Sequence, residues 1–269
     1  MSKDLIVEWA QPYADAVGLP LAAMHLPTML RGVLLWWSLQ LLCAGLLPRV
    51  MPERFANMPQ RTRVQWYIHI ISFFHACFVS SLGLYYLFTL PADADVKWGH
   101  DYGIGQMYAI SFGYFVWDVV MCFLYEGPSF VVHGVLGMIS CTLVFVPFIM
   151  LEGLSVVIWE LSTPFLDIHW LLDRLDKKGT RIQFVNAVAL LVTYVGVRLV
   201  YGVYFTVRFI PTLWLPDGAH SRVIPLGFKL FYTFGLIAMD SLNYYWFIRM
   251  LRNVRRRFPG DQPKEVKQT

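Results

Sequence analysis

The sequence has few charged residues for its length. Asp, Glu, Lys and Arg together make up 15% of the 269 residues, whereas hydrophobic residues make up 57% and the mean hydropathy is +0.51. Soluble domains are about one quarter charged, so this chain has too few charges to cover a surface that faces water. The composition excludes a soluble globular domain and predicts a membrane protein.

Other residue types are also scarce. Four cysteines, 19 glycines and 15 prolines are too few for a disulfide scaffold, a collagen-like repeat or a low-complexity chain. The cysteines lie inside apolar runs without the spacing of metal ligands, so we predict that they pack in the interior and that no metal or tightly bound cofactor is held. The net charge is only +4, and several of the basic residues follow the last apolar run, so no nucleic-acid partner is expected.

Long apolar runs recur along the chain. A helix that crosses the hydrocarbon needs about 20 mostly apolar residues. We place seven such spans at 29–47, 64–89, 104–124, 129–151, 153–171, 182–209 and 225–248. Pro147 and Pro164 interrupt the fourth and fifth, and only Glu152-Gly153 separates these two, so a re-entrant pair is the alternative there. The sequence therefore predicts an all-α polytopic bundle.

The positive charges indicate the orientation of these spans, because cytoplasmic loops retain Lys and Arg. An odd number of crossings places most of them on one side, which predicts a lumenal N-terminus and a cytoplasmic C-terminus. The first span has no basic region before it, so we expect a signal anchor and no cleaved signal peptide. The residues that share the predicted cytoplasmic side are Arg49, Arg54, Arg61, Arg63, Arg174, Lys177, Lys178, Arg181 and those from Arg249 onward.

Ionisable side chains within these spans are the informative positions, because each costs a few kcal/mol in hydrocarbon and usually faces a partner or a wet cavity. At a rise of about 1.5 Å per residue, His69, Asp118 and His133 lie at a common depth, about 10 Å or less from the cytoplasmic end of their spans. We predict that the set points inward to one hydrated chamber. Its members are His69, His75, Asp118, His133, Glu160, Arg198 and Asp240.

Asp118 and His133 form the candidate catalytic pair. The short turn Glu126-Gly127-Pro128 joins their spans, so the carboxylate could reach the imidazole. A carboxylate in this position fixes the tautomer of the ring, which then serves as a base or nucleophile towards an acyl carbonyl. The alternative is structural: Asp118 bonds a neighbouring helix and His133 packs in the interior.

The remaining polar positions are candidates for lining the cavity or binding substrate. Arg198 lies deep in its span and needs a carboxylate, with Glu160 and Asp240 nearest in depth. Such a buried pair more often fixes helix packing than performs chemistry. His75 is either a packed core residue or a cavity residue, and Asn243 has the amide that commonly bonds across helices.

Pro164 marks a further polar stretch. It cannot donate to the carbonyl of Glu160, so Ser162 and Thr163 are candidates for the compensating contacts of a kinked helix. Further along, Asp167 and His169 add polar groups. A helix of this kind suits the wall of a polar cavity, although a kinked packing helix would have the same sequence.

Four motifs resemble those of the TLC-domain family. They are Glu160–Trp170 (ELSTPFLDIHW), Trp117-Asp118, Gly127–Gly134 (GPSFVVHG) and Leu242–Trp246 (LNYYW). The resemblance covers residues 58–258 and is closest to small fungal members. It divides the chain into an N-terminal segment with the first span (1–57), a TLC domain (58–258) and a short tail (259–269). It implies a bundle of six or seven helices around a lipid-accepting cavity, in the endoplasmic reticulum.

The resemblance also implies a role in lipid synthesis or membrane lipid composition. Ceramide synthases in this family use a His-His pair with nearby Asp residues to transfer an acyl group from acyl-CoA. Here the corresponding position reads His133-Gly134, and Asp167 stands where many relatives have Asn, so we do not expect ceramide synthase activity. Retained Asp118 and His133 are compatible with acyl transfer to another lipid amine or to a lysolipid, with His69 or Asp167 contacting the donor.

Two functional hypotheses follow. The first is an acyltransferase with acyl-CoA as co-substrate. The second is a non-catalytic lipid-binding protein, cargo receptor or regulatory membrane protein. Membrane lipids are the expected partners in both, and a homo-oligomer is compatible with either. A seven-helix receptor would match the number of spans, but the chain lacks the Asp-Arg-Tyr and Asn-Pro-x-x-Tyr elements of that class.

Overall fold

The computed structural model describes residues 2–215 and 223–257, which are mainly helical and contain no β-strand. The chain divides into two compact units, Met1–Val197 (unit 1) and Arg198–Thr269 (unit 2). The predicted tail at 259–269 lies outside the described residues. The elements are α1 (Ser2–Ala16), α2 (Ala22–Val50), α3 (Pro52–Ala56), α4 (Gln60–Thr89), α5 (Tyr102–Tyr125), α6 (Pro128–Leu143), α7 (Leu154–Val157), a 3-10 helix (Ile158–Ser162), α8 (Thr163–Arg174), α9 (Arg181–Tyr194), a π-helix (Val195–Val200), α10 (Tyr201–Trp214) and α11 (Leu226–Arg257).

Four helical segments within the described ranges are long and apolar enough to cross a membrane. They are α2, α4, α5 and the continuous run of α9, the π-helix and α10. Each contains one predicted span, and the apolar α6 is shorter, with 16 residues. The predicted last span, 225–248, overlaps α11 from Leu226 onward, and this helix has 32 residues. The prediction of an all-α membrane protein is confirmed, whereas crossings beyond these four stay predictions.

The predicted fourth and fifth spans, 129–151 and 153–171, are not continuous helices. Helix α6 ends at Leu143, and residues 144–153 are irregular. Pro147 cannot donate a helical hydrogen bond, and Ile149 has a φ of +73°, which a right-handed helix does not allow. Phe145 is fully buried, so this irregular backbone is enclosed by protein.

Pro164 begins a helix; it does not interrupt one. It occupies the first turn of α8, where the amide hydrogen that proline lacks would have no partner within the helix. The chain before it is a tighter 3-10 helix, Ile158–Ser162. The predicted kinked span is therefore a series of short helices from Leu154 to Arg174.

Two of the predicted cytoplasmic loops carry basic residues: the loop between the first and second predicted spans and the loop after the fifth. They meet at one end of unit 1, which we call the basic end. Arg54, in α3, donates to the carboxylate of Asp176 at 2.6 Å, and so joins α3 to the loop after α8. Arg61, in the first turn of α4, donates through Nε to the carbonyl oxygen of Tyr125 at 3.0 Å, and so adds the end of α5. The two predicted cytoplasmic loops of unit 1 thus share one end.

The irregular segment lies at the opposite end of unit 1. The amide of Leu21, just before α2, donates to the carbonyl oxygen of Phe145 at 3.1 Å, and the amide of Ile149 donates to that of Lys97 at 2.7 Å. Residues 128–153 therefore run from the basic end to the opposite end, and α7, the 3-10 helix and α8 return. Although the two segments are not continuous helices, they connect the same two ends as the long helices.

Candidate functional site

Six of the predicted site residues form one polar cluster inside unit 1. The carboxylates of Asp118, Glu160 and Asp167 are close enough to repel one another. The ring of His75 is within electrostatic range of Glu160 and His133. Side chains far apart in sequence are thus brought together by α4, α5, α6, the 3-10 helix and α8. We call this set the acid–imidazole cluster: His69, His75, Asp118, His133, Glu160 and Asp167.

His69 and Asp167 form the best-defined contact of the cluster. The Nδ1 atom of His69 lies 2.7 Å from Oδ1 of Asp167. The Asp167 side chain is 2% exposed and the His69 side chain 20% exposed. Because the carboxylate engages Nδ1, Nε2 is the ring nitrogen left to contact another molecule, and the carboxylate fixes the ring orientation.

The helix periods of α4 and α8 explain why these two side chains meet. Residues three apart on a helix share a face, so Asp167 and Trp170 of α8 point to the same side, as do Trp66 and His69 of α4. The rings of His69 and Trp170 stack with centroids 4.2 Å apart, and the rings of Trp66 and Trp170 meet edge to face at 5.7 Å. Arg174 adds a cation–π contact with Trp170 at 5.0 Å. This packing restricts the position of the His69 ring.

Asp118 lies against the backbone of α6 at Gly134, the residue that follows His133. A Cβ atom added to Gly134 would stand 2.8 Å from Oδ2 of Asp118. Cys122, one turn later on α5, donates through its thiol to Oδ1 of Asp118 at 3.5 Å. The ring of His133 meets the edge of the Phe115 ring with centroids 6.0 Å apart. The absence of a side chain at Gly134 therefore allows the carboxylate to approach α6 closely.

Replacing Gly134 by alanine is expected to destabilise the protein by about 1 kcal/mol, at the low end of overpacking costs, because the end of the Asp118 side chain has to move aside. In an Asp118→Ala background the same change should cost much less, since the nearest atom is gone. Thermal unfolding of the purified variants in lipid nanodiscs would measure both effects. Gly127→Ala is the matched control, because a Cβ there meets nothing within 4 Å. Equal costs of Gly134→Ala in both backgrounds would contradict this interpretation.

His75 is a packed interior residue. Its ring is parallel to that of Tyr114 with centroids 3.7 Å apart, and the Trp36 and Phe115 rings meet it edge to face. Its Nε2 atom lies 3.2 Å from the Ser111 hydroxyl, and the residue is 1% exposed. Of the two roles the sequence allowed, the structure favours the packed core residue over the accessible cavity wall.

The polar residues around Pro164 bond mainly within their own turn. The Thr163 hydroxyl donates to Oε2 of Glu160 at 2.9 Å. The Ser162 hydroxyl donates to the carbonyl oxygen of Trp159 at 3.3 Å, and this serine is 1% exposed. Both hydroxyls make local contacts at the junction of the 3-10 helix and α8. Neither of these contacts is to the carbonyl oxygen of Glu160, which accepts a hydrogen bond from the backbone amide of Thr163.

The other predicted residues belong to unit 2. Nη1 of Arg198 donates to Oδ1 of Asn243 at 3.2 Å, and both residues are buried. Arg198 lies in the π-helix, an irregularity that often accompanies functional sites. Asp240 is half-buried on α11, the same helix as Asn243. The contact of Arg198 with an amide was not expected from the sequence, and its pairing with a carboxylate stays a prediction.

An apolar groove of about 290 Å³ lies between α2, α4 and α5. Trp36 lines this groove and also touches the ring of His75, so one indole separates the groove from the acid–imidazole cluster. The groove offers only hydrocarbon and aromatic surface to a ligand. Its lining residues are Leu35, Trp36, Leu39, Phe74, Phe78 and Ile110.

Comparisons with known proteins agree with the resemblance carried by the motifs. The family model described as the TLC domain matches residues 65–252. The chain belongs to the TLC-domain family. An uncharacterised TLC domain-containing protein of Schizosaccharomyces pombe is 30% identical over 95% of this chain and 87% of its own length. Topoisomerase I damage affected protein 4 of Saccharomyces cerevisiae is 26% identical (72% and 71%), and human TLC domain-containing protein 4 is 23% identical (73% and 76%).

All of the predicted site residues lie within the matched TLC domain. The acid–imidazole cluster, Ser162 and Thr163 fall in the part of the domain in unit 1, and Arg198, Asp240 and Asn243 fall in the part in unit 2. The His69–Asp167 contact is therefore a feature of the TLC domain of this chain, and not of the N-terminal helices that precede it.

One buried histidine outside the matched TLC domain was missed. His25 precedes the first predicted span, 29–47, but it lies in α2 and is 1% exposed. Its Nδ1 atom is 3.1 Å from Nε2 of Gln106, and its ring stacks on Tyr102 and Phe145. The missed signal was the apolar composition of residues 21–24, which extends the helix back to Ala22. His25 ties α2 to α5 and does not belong to the acid–imidazole cluster.

Proposed function

We propose that this TLC-domain protein handles lipids in the endoplasmic reticulum membrane and influences membrane lipid composition. The observation that carries the proposal is the acid–imidazole cluster, which gathers three carboxylates and three imidazoles among apolar helices. Ionisable groups are rare within membrane-spanning segments and usually mark a site of function. The adjacent apolar groove supplies surface suited to an acyl chain.

We further propose seven crossings with a lumenal N-terminus and a cytoplasmic C-terminus. Four segments are long enough on their own. In unit 1, residues 128–153 and 154–174 connect the same two ends as α4 and α5, as the contacts of Phe145 and Arg54 indicate. Lys and Arg are retained on the cytoplasmic side, so the basic end of unit 1 faces the cytoplasm in this proposal.

The proposed chemistry is acyl transfer from acyl-CoA to a lipid amine or a lysolipid. In this reaction a carbon–nitrogen or carbon–oxygen bond forms at the acyl carbonyl, and the thioester carbon–sulfur bond breaks. An imidazole takes the proton of the attacking group and returns it to the departing CoA thiolate. His69 held by Asp167 has suitable geometry for this base. His133 beside Asp118 is the second imidazole, as a base or a transient acyl acceptor.

The alternative is a non-catalytic lipid-binding, cargo-receptor or regulatory protein. The apolar groove favours it, because none of its lining side chains has a group that could react with a lipid. The packed ring of His75 also serves structure and not chemistry. This alternative predicts a bound lipid that leaves the protein unchanged.

The deciding experiment combines mass spectrometry of co-purified lipids with an acyl-CoA assay in nanodiscs. Labelled acyl-CoA would be offered with lysolipids and with long-chain amines. We expect transfer by the unaltered chain, and rates about 10²–10⁴-fold lower for His133→Ala and Asp118→Asn. His100→Ala is the control, because His100 is an exposed histidine outside the helices. Rates that survive both substitutions would remove this pair from the proposal, and a bound lipid without turnover would favour the alternative.

A further inference from the structure

Helix α1 has three chemically distinct faces. The first contains Ala10 and Ala14, which are buried against Ala23 of α2. Side chains on the second face are apolar and exposed: Leu5, Ile6, Trp9 and Tyr13. The third face is polar. At about 100° per residue, the three sets point in directions roughly one third of a turn apart.

The polar face carries acidic groups. Glu8 and Asp15 are exposed, and Gln11 donates through Nε2 to Oδ1 of Asp15 at 2.9 Å. The exposed apolar face is far from these acids on the helix surface, so a single boundary between water and an apolar medium can separate the two. A helix of this kind is suited to lie in a membrane interface.

The connection to α2 places α1 at the end of a membrane-spanning helix. Only residues 17–21 separate the two helices. Gly18 has a φ of +76°, which lets the chain turn, and Nε2 of Gln11 also donates to the carbonyl oxygen of Pro20 at 3.0 Å. Since α1 packs on α2 through alanines, it is held beside the point where that helix leaves the hydrocarbon.

The length of α1 prevents it from crossing the membrane. Its 15 residues reach about 22 Å at 1.5 Å per residue, short of the roughly 30 Å of hydrocarbon. Its exposed apolar face therefore has to meet the membrane surface, a second protein or water.

We propose that α1 lies in the plane of the lipid headgroup layer at the end of unit 1 opposite the basic end, with its apolar face in zwitterionic lipid. Two observations favour lipid as the occupant. Helix α1 packs through its alanines on Ala23, and further along α2 Leu30 and Leu34 are exposed as expected for a lipid-facing helix. Trp9 and Tyr13 are the residue types enriched at the membrane interface. The acidic face disfavours an anionic surface, since like charges repel.

The test measures the depth of spin labels along α1 in full-length protein. Labels would replace Trp9, Tyr13, Glu8 and Asp15 in a variant whose four cysteines are alanine, reconstituted in phosphatidylcholine nanodiscs. We expect labels at 9 and 13 to be relaxed mainly by oxygen, and labels at 8 and 15 mainly by a water-soluble nickel chelate. Replacing a third of the lipid by phosphatidylglycerol should make labels at 9 and 13 shallower.

Hydroxyl-radical labelling of the unaltered chain provides a second measurement if the cysteine-free variant fails to fold. In nanodiscs, we expect Trp9 and Tyr13 to be oxidised at least several-fold less than tryptophan and tyrosine side chains that are exposed to water. Access of the nickel chelate to positions 9 and 13 equal to that at 8 and 15 would overturn the proposal. Dipolar broadening between labels at position 9 would also overturn the proposal, because it would show that a second copy of the chain covers the apolar face. Protection of labels 9 and 13 from both relaxation agents would overturn it as well, because it would show that another protein covers this face.

Discussion

Replacing His69 by leucine is expected to destabilise the protein by about 1–3 kcal/mol, because it removes the imidazole hydrogen-bond partner of the buried Asp167 carboxyl group. Replacing both residues by leucine should restore most of the lost stability, since an apolar pair needs no hydrogen bond. Leucine at position 69 can still pack on Trp170, so the loss of apolar contact is small.

A double-mutant cycle measures this coupling. Unfolding of His69→Leu, Asp167→Leu and the double variant would be followed in nanodiscs with the unaltered chain as reference. His100→Leu is the matched control, because that histidine is exposed and should tolerate leucine with little effect. If the two single costs simply add in the double variant, the pair is not coupled as its geometry indicates.

The same double variant separates structure from chemistry at this pair. If His69 and Asp167 only hold α4 to α8, a stable double variant retains whatever lipid binding or turnover the unaltered chain has. If His69 is the base for acyl transfer, the double variant is stable but loses turnover. The single variants thus measure the loss of stability, and the stable double variant measures the loss of function. A single substitution would change both at once.

The broad architecture could be predicted from composition, because the hydrophobic requirement of the bilayer acts on each segment separately. Apolar length alone identified α2, α4, α5 and the run from Arg181 to Trp214. The same criterion failed at 144–153, because Phe145, Ile149 and their neighbours are as apolar as a spanning helix. They are buried for a different reason: they fill the end of unit 1. Hydropathy reports burial but not the conformation in which residues are buried.

The cluster was predictable in membership but not in pairing. The cost of ionisable groups in hydrocarbon identified five of its six members, whereas Asp167 was singled out only through the polar stretch around Pro164. Which imidazole meets which carboxylate depends on helix rotation and tilt. His69 and Asp167 are 98 positions apart and were considered only as separate contacts to a donor. His25 was missed for a simpler reason, since α2 begins at Ala22 and not near residue 29.

The contacts in the structure give His69 and Asp167 a larger part in the chemical hypothesis than the sequence did. Sequence depth suggested His133 with Asp118, whereas the closest imidazole–carboxylate contact described is that of His69 with Asp167. The two pairs belong to one cluster, because Glu160 is near enough to interact electrostatically with both Asp118 and Asp167. A change at one pair is therefore expected to alter the other, and their substitutions should be compared in the same preparation.

Replacing Gly113 by alanine is expected to be among the most destabilising single changes in the protein. A Cβ atom at Gly113 would stand 2.3 Å from the carbonyl carbon of Gly32 and 2.4 Å from the amide nitrogen of Val33, both in the backbone of α2. Backbone cannot rotate away as a side chain can, so α2 and α5 would have to separate. Overpacking of this kind costs about 1–3 kcal/mol and occasionally more.

The crossing also offers a graded series of controls. A Cβ at Gly32 meets its nearest atoms at 3.1 Å, so Gly32→Ala should cost less than Gly113→Ala. Gly227 on α11 has nothing within 4 Å, and Gly227→Ala should be neutral or slightly stabilising, because alanine is the better helix former. Thermal unfolding in nanodiscs would rank the three variants. Close contact between small residues holds membrane helices together, so the opposite order for Gly113 and Gly32 would mean that α2 and α5 do not cross at these residues.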